Sequence, residues 1–314
     1  MLARIIGLYL ISLVSASNGK CRILAIGGGT DRGAYEAGAI QGLVNYLPSG
    51  EATWDVVIGT GVGAINGLFL SQYPQGDESS AAEELKSFWT SFQVSQFYKD
   101  WIGGFVTGLF VESGLFNTSP IKKTIEDLNV KPSQRFFGVG ATDLMTSSYI
   151  FFNTSLLSQK TMNMGIQGST ADYFFFPYVN YDTFRLSTGS IKYSVDVWHG
   201  FNACFQMGYD ESEIILDVVM GAGKSIEDID AKNYKTFQVL GRTFEIMSYE
   251  DSRLILDNAK MNFPDVDYRT TIFPTAKLET PLYPYDYSAE ELAAQFQLGV
   301  GDAQKALSIS LEKY

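Results

Sequence analysis

The sequence predicts an α/β fold built on a central, mostly parallel sheet. Two observations carry this. Twice before Tyr73, an apolar strand-like run feeds into a glycine loop and then into helical spacing, so that one β-α-β unit is complete by Ile58. The composition, 46% hydrophobic and 14% aromatic over 314 residues, also provides for one extended core and argues against disorder.

The chain opens on Met1-Leu2-Ala3-Arg4, an apolar run from Ile5 to Val14, and Ser15-Ala16-Ser17. Basic, apolar and small residues in that order predict a secretory signal peptide over 1–17, with an apolar core too short to span a bilayer. Residues 18–314 then form a single α/β domain, and the protein is expected to be secreted or to lie in the lumen of the secretory pathway. Two weaker features agree: the sequons Asn117-Thr118-Ser119 and Asn153-Thr154-Ser155, and two cysteines, Cys21 and Cys204, that an oxidising compartment would allow to pair. With His199 as the only histidine and no Cys/His cluster, the inventory excludes a zinc site and a Ser-His-Asp triad, and no metal or cofactor is implied. A formal charge of −12 argues against nucleic acid and against electrostatic docking on anionic membranes.

The first strand, Arg22 to Ile26, runs into Gly27-Gly28-Gly29-Thr30-Asp31-Arg32-Gly33. Ala34 to Leu47 reads as the first helix, stopped by Pro48-Ser49-Gly50. Trp54 to Val57 reads as the second strand, followed by Ile58-Gly59-Thr60-Gly61-Val62-Gly63-Ala64 and a helix from Ile65 to Tyr73. Strand, tight glycine turn, helix is the layout of a nucleophile elbow, Gly-x-Ser-x-Gly, but the serine's place is held by Gly61. The same stretch also satisfies the dinucleotide fingerprint as Gly59-x-Gly61-x-x-Ala64. It does not follow the first strand of its unit, and no acidic residue ends a strand about twenty positions on.

Taken together, the triple-glycine loop and the elbow resemble the patatin-like phospholipase family, which carries Gly-Gly-Gly-x-x-Arg-Gly after the first strand and Gly-x-Ser-x-Gly-Ala after a later one. The resemblance implies a three-layer α/β sandwich. It also implies an oxyanion hole from the N–H groups of Gly27, Gly28 and Gly29, with Arg32, Gly33, Gly59 and Gly63 as structural members of the motifs. Further stretches resemble the same family: Gly114-Leu115-Phe116-Asn117-Thr118-Ser119-Pro120, Thr142-Asp143-Leu144 with a hairpin partner at Tyr149 to Phe152, and Gly168-Ser169-Thr170-Ala171. Lys192 to Asp196 matches the strand that ends in the family's dyad aspartate, with Asp196-Val197-Trp198 where the family has Asp-Gly-Gly or Asp-Gly-Ala. The resemblance is specific from about Cys21 to Val219 and loose beyond.

Between and after these motifs the reading rests on the residues alone. Ala81 to Phe92 has helical spacing, and the aromatics that continue through Phe97, Tyr98, Trp101, Phe105 and Phe110 are expected mainly in the core. Ser119 is expected to cap a helix with Pro120 at its first position, running to Leu128. Asp143 is expected to bond local backbone amides, and His199 to sit in solvent. Phe201 to Met207 reads as a helix, Glu213 to Val219 as a core strand, Tyr234 to Asn262 as helical and Tyr268 to Phe273 as a strand. Ser288-Ala289-Glu290-Glu291 is a capping box that opens a last helix ending near Leu307.

Acyl transfer on such a fold needs a nucleophile, a carboxylate to take its proton, and amides facing the oxyanion. Gly61 removes the first, and Asp196, the vestigial dyad acid, stands in an altered setting. The expectation is a catalytically inactive lipid acyl hydrolase homologue that binds a lipid or fatty acyl ligand or a partner, with transient membrane contact. The alternatives are an enzyme in which Asp196 activates a water, and a dinucleotide-binding protein.

Overall fold

A computed structural model describes residues 19–29, 31–128, 134–278 and 283–311, so the expected leader over 1–17 lies outside the described residues. The strands are β1 (Cys21–Ile26), β2 (Val56–Thr60), β3 (Phe136–Asp143), β4 (Tyr149–Asn153), β5 (Val179–Tyr181), β6 (Phe184–Thr188), β7 (Ile214–Val219) and β8 (Asp267–Ile272). The helices are α1 (Gly33–Tyr46), α2 (Gly63–Ser71), α3 (Glu78–Thr90), α4 (Gly104–Phe110), α5 (Ser119–Asp127), α6 (Gln159–Ser169), α7 (Val197–Gln206), α8 (Thr236–Asn262) and α9 (Ala289–Leu311). Strands β3, β2, β1, β7 and β8 lie side by side and parallel, while β4, β5 and β6 add antiparallel pairings at one side.

β1 and β7 are apolar in nearly every position and buried throughout, as a sheet covered on both faces requires. Their side chains divide between two cores with the period of a strand. Leu24 and Ile26 join α1, α2, α3 and α9 on one face, whereas Cys21, Ile23 and Ala25 join α7 and the C-terminal half of α8 on the other. This is the three-layer sandwich the family resemblance implied. Cys21 on β1 and Cys204 on α7 form a disulfide across the second of these layers, with Cα atoms 5.9 Å apart. No helix among the described residues is long and apolar enough to cross a membrane.

β3 is the strand that assembles the site. Its first part pairs with β2, ending at Thr60↔Gly140, and its last residues, Ala141 to Asp143, pair with β6. β4 runs along the other edge of β3 from Gly138 to Thr142. β6 therefore takes over the pairing where β2 stops at the elbow, and brings its C-terminal end beside Gly61.

Five expectations change. The second strand begins at Val56 rather than Trp54; just ahead of it the Trp54 indole donates to Asp217 (2.8 Å) and the Asp55 carboxylate accepts from the Arg22 N–H (2.8 Å). Lys192 to Asp196 is not a strand: the Ser194 N–H donates to the Asp251 carboxylate on α8 (2.6 Å) and its carbonyl accepts from Gly28 in the glycine loop (2.6 Å), so these backbone groups serve partners outside the sheet. α7 begins at Val197, four residues before the expected start, with Asp196 as its N-cap. α5 is preceded by Thr118, with the Asn117 side chain accepting from the Ser119 N–H (2.9 Å), so Ser119 is inside the helix. The aromatic run divides: Phe97 and Tyr98 are buried, but Phe105 and Phe110 are exposed.

Candidate functional site

The elbow lies between β2 and α2, and Gly61 at its tip has φ +57°. That left-handed value is adopted readily by glycine and at a cost by any residue with a Cβ. On either side the strand and helix approach too closely for side chains: a Cβ on Gly59 would lie 2.4 Å from the Gly63 carbonyl oxygen, and one on Gly63 would lie 2.6 Å from that of Gly27. Contact between Gly63 and Gly27 brings the two glycine motifs together. A Cβ on Gly61 itself would lie 3.1 Å from the Gly28 Cα, so the triple-glycine loop faces the elbow tip.

Within the triple glycine, the N–H groups of Gly27 and Gly28 are donated to the carbonyls of Val219 (2.8 Å) and Ser194 (2.6 Å). Both are thus engaged rather than aimed at the elbow, while the N–H of Gly29 has no acceptor among the described residues. The loop is anchored beyond that by Arg32, whose guanidinium donates to the Tyr287 hydroxyl (2.9 Å) and the Leu278 carbonyl (3.3 Å). Gly33 lies under the Trp89 ring, whose edge would be 2.1 Å from a Cβ there.

Three hydroxyls surround the tip. Ser169 accepts from the Gly61 N–H at 3.0 Å. Ser190 Oγ and Thr188 Oγ1 would lie 3.4 and 3.7 Å from a Cβ on residue 61. Of these only Ser169 belongs to a stretch singled out from sequence. Ser190 and Thr188 arrive with β6, and nothing in the local sequence announces that role.

Asp196 is fully buried at the start of α7. Its carboxylate accepts from the His199 N–H (3.1 Å) and from the Tyr149 hydroxyl (2.9 Å), and the oxygen bonded to Tyr149 lies 2.7 Å from His199 Nδ1. His199 is not in solvent as expected: its ring stacks on Phe151, with centroids 4.0 Å apart. Burial, and then the neighbouring Asp196 charge, push the Tyr149 hydroxyl well above its ordinary pKa, which keeps it a donor. Tyr149 gains its place because residue 140 is glycine, where a Cβ would lie 1.7 Å from its hydroxyl oxygen. Asp143, by contrast, accepts from the N–H groups of Met145, Thr146 and Arg185, in keeping with the structural reading.

Two further carboxyls lie behind the glycine loop. Glu36 and Asp172 are buried, and desolvation raises both pKa values well above the usual carboxylate range, with the charge of Asp31 adding to the effect at Asp172. A cavity of about 1270 Å³ opens on the loop's other side, bordered by Gly29, Arg32, Phe175, Ile226 and Phe244. Gly61 and Asp196 do not line it. The space in front of α2 that a dinucleotide would need is taken by the glycine loop and Ser190.

Chemically the arrangement has a buried carboxylate and several hydroxyls, but residue 61 offers no atom that could carry an acyl group. Comparison with known proteins gives one family: a model described as patatin-like phospholipase matches residues 24–198. Among solved structures, the crystal structure of VipD from Legionella pneumophila is similar at 12% identity and a TM-score of 0.41, covering 94% of this chain and 68% of that one. No curated protein matches the sequence.

Proposed function

The chain belongs to the patatin-like phospholipase family, and from that premise we propose that it is a secreted, catalytically silent member that binds a lipid or fatty acyl ligand beside its vestigial acyl-hydrolase site. The observation that carries this is a glycine at the elbow tip, where the family carries its serine, in a protein whose Asp196 is already held by Tyr149 and His199. Loss of the nucleophile in a serine hydrolase costs about a million-fold in turnover. An Asp196-activated water is disfavoured because a buried carboxylate already engaged by Tyr149 and by both the N–H and the ring of His199 is poorly placed to take a proton from a water. Ligand binding is supported by the cavity next to the glycine loop, and secretion by the Cys21–Cys204 disulfide together with the leader-like start of the sequence.

Purified protein assayed on short-chain esters and phospholipids should show no turnover above buffer, while a fluorescent fatty acid should bind saturably. Replacement of cavity-lining Phe244 by Asp should weaken that binding. Robust hydrolysis that collapses in Asp196→Asn would overturn the reading in favour of an enzyme.

A further inference from the structure

Among the described residues, exposed large apolar side chains run together along α4 and the residues around it. Ile102 is 100% exposed, Phe110 78%, Val111 75% and Val106 65%, with Phe105 and Leu109 also on the surface. The cause is local. Gly108 is the buried residue of this short helix, and a Cβ there would lie 2.3 Å from the Leu115 carbonyl oxygen, so α4 lies backbone-close against the chain that follows and turns its large side chains outward. Beside it, an apolar cavity of about 490 Å³ lies between α4 and α8, lined by Phe105, Leu109, Phe174, Val239 and Leu240 together with Thr236 and Thr243.

We propose that this face docks on a zwitterionic lipid surface, with Ile102, Val106, Phe110 and Val111 reaching the boundary between headgroups and acyl chains. Three features favour lipid over a protein partner. From Trp101 to Val111 no residue carries a charge, so nothing charged is dragged out of water. Several polar groups of the excursion are satisfied within it, as an apolar medium favours: the Trp101 indole donates to the Gly114 carbonyl (3.1 Å), Thr107 Oγ1 to that of Ile102 (3.1 Å), and the N–H groups of Val111 and Glu112 to that of Thr107 (2.9 and 3.0 Å). A protein interface carries about one hydrogen bond per 100–200 Å² to fix the partner's orientation; this face offers almost none, and fluid hydrocarbon needs none. The flanking charges, Asp100 and Glu112, are both carboxylates on a chain of net charge −12, which selects against anionic headgroups. The choice of lipid rests on the function proposed above, but docking involves neither the elbow nor the larger cavity.

The test is sedimentation of the full protein with phosphatidylcholine vesicles, repeated with Val106→Asp/Phe110→Asp and separately with Ile102→Asp, whose fully exposed side chain makes a folding defect easy to tell apart. The expected result is partitioning by the wild type that weakens by about tenfold or more in the double variant, with soluble fatty-acid binding retained. Replacing a third of the lipid by phosphatidylserine should not strengthen it. Docking is overturned if wild-type protein stays in the supernatant, if both variants sediment as it does, if phosphatidylserine is required, or if light scattering shows a dimer that the double variant dissolves. Loss of fatty-acid binding with intact docking would instead count against the proposed function alone.

Discussion

The hydroxyl of Tyr149 donates to Asp196 at 2.9 Å, across a sequence separation of 47 residues. In the family's dyad the aspartate serves the elbow serine; here it serves a tyrosine on β4 and the histidine three residues on. A carboxylate buried without its donors would be costly, so Tyr149 holds Asp196 as a structural N-cap of α7. Tyr149→Phe is expected to lower unfolding free energy by about 1–3 kcal/mol, the range for stranding a buried acceptor. Urea unfolding reads this directly, and an unchanged midpoint would show the bond to be idle.

Restoring the missing side chain alone should not restore chemistry. In Gly61→Ser the new Cβ sits 3.1 Å from the Gly28 Cα and 3.4 Å from Ser190 Oγ, on a backbone at φ +57°. The strain should cost about 1–2 kcal/mol, and Asp196, the carboxylate that would have to take the new hydroxyl's proton, already has partners in Tyr149 and His199. Ester hydrolysis by the single variant should stay at background, any gain appearing first in Gly61→Ser/Tyr149→Phe. Vigorous turnover by Gly61→Ser alone would mean the carboxylate is available after all.

These contacts mark the limit of what the sequence could tell. β1, β2, β7 and the β3–β4 hairpin were legible because their apolar runs end in glycine loops or in a polar turn, and the two glycine motifs could be placed opposite each other by family resemblance. Ser190 and Thr188 could not be placed, since they reach residue 61 only through the pairing of β6 with the end of β3. Lys192 to Asp196 misled because it reads as β-forming while its backbone partners, Gly28 and Asp251, are remote in sequence. For Phe105 and Phe110, aromatic spacing gives a helix face but not which way it turns; the buried Gly108 decides that.

The disulfide should matter to stability. Cys21 and Cys204 are 183 residues apart and tie the central strand to α7, the helix that Asp196 caps. Cross-links over long loops contribute about 2–5 kcal/mol. Cys21→Ser/Cys204→Ser, or the wild type under dithiothreitol, should therefore unfold at markedly lower urea. Identical curves with and without reductant would remove this support for an oxidising compartment.

Glu36 makes stability fall toward alkaline pH. It is fully buried on α1, with one oxygen accepting from Asn66 (3.0 Å) and the other without a partner among the described residues, and desolvation raises its pKa well above the usual carboxylate range. The folded state therefore holds its proton at pH values where the unfolded chain has released it. The stabilisation is complete below the unfolded pKa and is lost as pH rises through the folded one, at up to about 1.4 kcal/mol per pH unit. Asp172, raised for the same reason, contributes with the same sign. Glu36→Gln is uncharged at every pH and keeps an acceptor for Asn66, so its stability should decline less steeply than the wild type's between pH 5 and 8. Parallel profiles would show that Glu36 is ionised in the folded protein and that the Asn66 contact, rather than a retained proton, makes its burial tolerable.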